Sequence, residues 1–67
     1  MSYLLCYRYH PWSEDDVESI WQFVQTLGGE IELRRDSVDF YVPEDRQVML
    51  LLKYPQLTHI PALDYLV

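Results

Sequence analysis

Hydrophobic and polar residues change their period several times along this chain, and each change marks an element. From Tyr3 to Tyr9 they alternate: Tyr3, Leu5, Tyr7 and Tyr9 fall on one side, Leu4, Cys6 and Arg8 on the other. Alternation with aromatic content predicts a strand. Pro11 ends it, because proline lacks a backbone donor and biases His10 away from helical dihedrals.

The next stretch has helical spacing. Val17, Ile20, Trp21, Val24 and Leu27 recur three and four apart, which predicts a helix over about residues 14 to 27. Ser13 suits the N-cap, with Asp16 three positions on as a short capping box and Trp12 opposite Val17 as a staple. Gly28-Gly29 closes the helix, since either glycine can take a left-handed C-cap.

Alternation then returns twice. Ile31 and Leu33 separate Glu30, Glu32 and Arg34; Val38, Phe40 and Val42 separate Asp39 and Tyr41. With polar Arg35-Asp36-Ser37 between them, the two runs predict an antiparallel hairpin with one buried face and one wet face. Pro43-Glu44-Asp45 suits the first turn of a second helix. Val48 to Leu52 is apolar throughout, so this helix is expected to be short and largely buried, with Lys53 in its last turn and Pro55 as its stop. The tail from Gln56 to Val67 is apolar apart from Asp64, and a short final strand is expected near Ala62 to Leu66.

The order β-α-β-β-α-β predicts a single α+β domain: a minimal ferredoxin-like sandwich, with two helices on one face of an antiparallel sheet and the first strand central. If the last strand fails, the alternative is β-α-β-β-α with a docked C-terminal arm. At 67 residues, 49% of them apolar, the chain is neither two domains nor disordered. It buries only roughly 60% of its unfolded surface, so a tight core or a partner subunit is expected.

Charge narrows the partners. Five Lys+Arg against eleven Asp+Glu give −6. This argues against nucleic acid as a partner, which draws its affinity from cationic contacts, and against anionic membranes. A basic protein surface remains a possible partner. No apolar run reaches the roughly 18 residues of a membrane span. Met1-Ser2-Tyr3-Leu4-Leu5 has no basic n-region, so no secretory signal is expected, and one cysteine suits a cytoplasmic setting.

Candidate chemistry is sparse. Cys6 and His10, four apart on an extended strand, stand roughly 13 Å apart and cannot share a zinc ion. No metal and no cofactor is expected. Gly28-Gly29 follows a helix and precedes a strand, the reverse of a phosphate loop. Glu44 and Asp45 point about 100° apart on a helix and do not form a catalytic pair. No catalytic residue is assigned and an enzyme is not expected. The weakest of three functional readings, a small catalytic or ligand-binding domain, would use Cys6 with His59.

The leading reading rests on tyrosine. If Leu4 and Cys6 face the helices, Tyr3, Tyr7 and Tyr9 stand on the open sheet face beside Tyr41 and Tyr65, as a partner-binding patch. If the strand is turned over, Leu5, Tyr3 and Tyr7 go inward instead. The patch implies a non-enzymatic accessory or inhibitor protein that binds protein and self-associates, as a homodimer through the sheet face or last strand. The alternative is an acidic decoy that mimics nucleic acid and blocks a basic groove.

Overall fold

The computed structural model describes residues 3–10 and 14–66. Strand β1 (Tyr3–Tyr9) lies in the middle of one antiparallel sheet. Helix α1 (Glu14–Thr26) follows, then the hairpin β2 (Glu30–Leu33) and β3 (Val38–Pro43). A 3-10 turn over Glu44–Arg46 leads into helix α2 (Gln47–Lys53). The chain ends with β4 (Thr58–His59), a 3-10 turn over Pro61–Leu63, and β5 (Tyr65–Leu66). The strand order is β2-β3-β1-β4, with β5 also pairing β1. The Ser13 cap, the Trp12 staple and Val67 lie outside the described residues.

The register decides which residues share a face. Leu5 pairs with Val42, Tyr7 with Phe40 and Tyr9 with Val38, so these six point the same way. They form one core with Val17, Ile20, Val24 and Leu27 of α1, Leu50 of α2, and Leu57. Fully burying such aliphatic and aromatic groups contributes about 1.5–3 kcal/mol each.

The first strand is therefore turned over relative to the favoured expectation: Leu5, Tyr7 and Tyr9 face the helices, while Leu4 and Cys6 face away. Two contacts explain the choice. The Tyr7 hydroxyl donates to Gln47 Oε1 at 2.6 Å, and the Tyr9 hydroxyl donates to Asp16 Oδ2 at 2.8 Å. A tyrosine can go inward when its hydroxyl finds an acceptor. Arg8, had it pointed under the helices, would have carried an unpaired charge into apolar surroundings.

Three further expectations are corrected. Helix α2 is not largely buried. Its seven residues make about two turns, and only Leu50 is fully enclosed; Val48, Met49 and Leu52 face solvent. Leu33, expected inward, is exposed because it ends β2, the edge strand. The strand expected near Ala62 to Leu66 shortens to Tyr65–Leu66, because a 3-10 turn over Pro61–Leu63 takes up its start, and a further two-residue strand, Thr58–His59, precedes the turn.

Helix α1 ends in a Schellman motif. Gly28 has φ +81°, and its N–H reaches the Gln25 carbonyl at 3.1 Å. The Gly29 N–H reaches the Val24 carbonyl at 2.9 Å, the six-to-one bond of that motif. The two glycines do different jobs. Gly28 supplies the left-handed backbone and stands in open space. Gly29 lets the chain pass against Tyr41, and a β-carbon there would collide with the Tyr41 carbonyl oxygen and the Val24 side chain.

Urea unfolding checks this division. Gly28→Ala is expected to cost about 1–2 kcal/mol, the usual penalty for a left-handed alanine. Gly29→Ala is expected to cost more than Gly28→Ala, because backbone must shift to relieve the collision. Equal losses would contradict the assignment.

Candidate functional site

The sheet face turned away from the helices carries the polar chemistry of the described residues. Alternation puts Leu4, Cys6 and Arg8 of β1 there, and the register sets Tyr41 beside Cys6 and Asp39 beside Arg8. The face divides into an apolar half and an ionic half.

The C-terminal segment covers the apolar half. Ile60 and Leu63 pack on Leu4, Cys6 and Tyr41. Asp64 fastens the segment, accepting the Cys6 backbone N–H on Oδ1 at 2.7 Å and meeting His59 Nε2 through Oδ2 at 2.9 Å. The Ile60 N–H adds a bond to the Cys6 carbonyl at 2.9 Å. Tyr65 lies edge-on to Tyr41, with ring centroids 5.4 Å apart, and its hydroxyl donates to Glu30 Oε2 at 2.8 Å. That bond to Glu30, with some burial, pushes the Tyr65 hydroxyl up to about 12.

Asp39 organises the ionic half. It was expected on the wet face, but its side chain is fully buried. Arg8 grips it with two bonds, Nε to Oδ1 at 2.8 Å and Nη2 to Oδ2 at 3.2 Å. Arg34 Nε bonds Oδ2 from the other side, and Arg34 Nη2 pairs with Glu32 at 2.9 Å. Burial pushes the Asp39 carboxyl up. The guanidinium hydrogen bonds and charges outweigh burial and hold it below its ordinary value of 3.8.

The structure brings the expected site residues together only in part. The five tyrosines do not make one face. Tyr7 and Tyr9 lie in the helix-side core, Tyr41 is buried on the opposite face, and Tyr3 and Tyr65 are exposed at the β1–β5 pair. Cys6 and His59 are not joined either. His59 pairs with Tyr7 and stacks on its ring at 5.0 Å, whereas Cys6 points to the other face and is fully enclosed. Burial first, then the Asp39 charge, pushes the Cys6 thiol up to about 11, so almost no thiolate is present at neutral pH. Among the described residues, no three His, Cys, Asp or Glu side chains cluster as a metal site, and no helix is long and apolar enough to cross a membrane.

Two groups of residues were missed by sequence reasoning. Asp39 looked like one more wet-face acid, and only its register against Arg8 reveals the pair. The exposed residues of α2 had a visible signal: five consecutive apolar residues surround a short helix, and one face of it must look outward. No family model matches the chain, and neither the curated proteins nor the solved structures contain a match.

Two measurements check the site. Asp39→Asn is expected to cost about 3–5 kcal/mol, the usual loss when one partner of a buried ion pair is removed. Because folding lowers the Asp39 pKa, its contribution is complete above the unfolded value and is lost as pH falls through the folded one. Unfolding free energy followed downward from pH 5 should therefore decline less steeply in Asp39→Asn than in the parent. Separately, iodoacetamide at pH 8 should alkylate Cys6 far more slowly in the folded chain than in urea. Equal rates would reopen Cys6 as a reactive thiol.

Proposed function

We propose that this chain is a non-enzymatic protein-binding module whose first partner is a second copy of itself. One observation carries the reading. Val48, Met49 and Leu52 of α2 are 61%, 48% and 79% exposed and lie within an arc of about 100° on the helix. Contiguous apolar surface of this kind marks interaction sites on small proteins.

Charge around the helix favours a second copy as the occupant. Glu44 and Asp45 precede α2 and Lys53 ends it. Two such helices crossed about a two-fold axis set the acidic end of each against the basic end of the other. A stable interface buries about 800 Å² per partner, about a fifth of the 4383 Å² surface of this chain. The helix alone is too small for that. Tyr3 and Leu66, exposed and paired at the sheet end where Pro43 leads toward α2, are the apolar residues this reading adds to it. Tyr3 thus remains as a candidate contact in this reading, whereas Tyr7 and Tyr9 serve the core and Tyr65 packs on Tyr41 on the other sheet face.

The strand order β2-β3-β1-β4 and the helices on one face support reading the fold as a reduced ferredoxin-like sandwich, with β5 as an addition. An accessory or inhibitor role in the cytoplasm belongs to the same proposal, supported by the small acidic chain and its single enclosed cysteine.

Light scattering on a sizing column, across protein concentrations and at low and high salt, tests the reading. A dimer that survives high salt is expected, because apolar contacts are not screened. Leu52→Glu should shift it to monomer with an unchanged circular dichroism spectrum. A parent monomer at every concentration, or a dimer indifferent to Leu52→Glu, overturns the proposal.

A further inference from the structure

The ionic half of the sheet face opens, at its outer end, into a shallow depression of about 700 Å³. Its walls are Arg8 and His10 from the end of β1, and Arg34, Arg35, Asp36 and Ser37 from the β2–β3 turn. Three of the five Lys+Arg residues in a chain of net charge −6 converge here. We infer that this depression binds the phosphate group of a small phosphomonoester or of inorganic phosphate, at a site separate from α2.

The arginines are held in place before any ligand arrives. Asp39, buried beneath them, fixes Arg8 through two bonds and Arg34 through a third. Their side chains remain 28% and 36% exposed, and neither Asp39 nor Glu32 engages Nη1 of either guanidinium. Each therefore keeps N–H donors for an outside acceptor, and fixing the side chains in advance lowers the entropic cost of binding. Arg35 forms no ion pair among the described residues. It stands at the tip of a turn closed by the Arg34 N–H to the Ser37 carbonyl at 3.0 Å.

Phosphate fits this donor set better than carboxylate does. A carboxylate offers two oxygens in a plane, and a single guanidinium fork satisfies both. Guanidiniums from two separate segments, Arg8 on β1 and Arg34 with Arg35 in the β2–β3 turn, line the one depression, which suits the three terminal oxygens of a phosphate monoester. Asp39, Glu32 and Asp36 offset the three positive charges, so directed hydrogen bonds must supply the affinity. Weak binding, with a dissociation constant of about 1–10 mM, is expected for one small anion in an open site.

Backbone amide chemical shifts, followed while inorganic phosphate is added at constant ionic strength, test the site. Acetate serves as the carboxylate comparison. Saturable shifts confined to residues 8, 10 and 34–37 are expected, with acetate weaker by about fivefold or more. Arg35→Gln, which leaves the Asp39 pairs intact, should weaken phosphate by about fivefold without changing the melting temperature. No saturable shift up to about 20 mM phosphate, equal binding of acetate, or an unchanged affinity in Arg35→Gln each overturns the assignment.

Discussion

The position of β1 constrains everything else. Strand β1 is central, with apolar side chains on both faces, and each face needs cover. Two helices cannot do that alone, because both pack on the side of Leu5, Tyr7 and Tyr9. The opposite face needs another solution, and the chain supplies two. Ile60 and Leu63 seal the apolar part over Leu4 and Cys6. Asp39 takes up Arg8 where the apolar cover ends. The tail and the ion pair thus finish a core that the helices leave half closed.

The same logic explains why β1 sits one way up. Tyrosine and arginine are both long and amphipathic, but their polar ends differ. A phenol needs one partner and finds it in Gln47 or Asp16 at the helix side. A guanidinium needs a counter-charge and several acceptors, and the register against β3 sets both oxygens of the Asp39 carboxylate beside Arg8. The orientation that satisfies Arg8 also satisfies both buried tyrosines of β1.

Much of the element order was legible in the sequence, because α1, β1 and the hairpin carry clean periods. The burial of Val38, Phe40 and Val42 followed from alternation, and the end of α1 followed from Gly28-Gly29. Three things were not legible. The facing of β1 was balanced, since both of its sides carry apolar residues and the deciding contacts, Tyr9 with Asp16 and Arg8 with Asp39, are tertiary. The burial of α2 was overestimated because a run of apolar residues reports composition and not which side meets the sheet. The short strand at the tail's end was only partly visible, because the apolar pattern from Ala62 to Leu66 does not show that Pro61 starts a 3-10 turn through Leu63. For the candidate site the legible part was smaller. The tyrosines were visible but their grouping was not, and the arginine cluster arises only when the β2–β3 turn is folded beside the end of β1.

Tying the middle of the sheet to the tail has a consequence for how the molecule assembles. Arg8 and Asp39 are 31 positions apart, and Cys6 and Asp64 are 58 apart. The hairpin, by contrast, closes across one tight turn. Chains dominated by distant contacts fold slowly, because loop entropy is spent before the contact is gained. Yet that cost grows only with the logarithm of loop length, about 0.6 kcal/mol per doubling. Once β3 has captured β1, the tail closes a far shorter effective loop to reach it. Covering Cys6 therefore costs less loop entropy when β1 and β3 are already paired than when they are not.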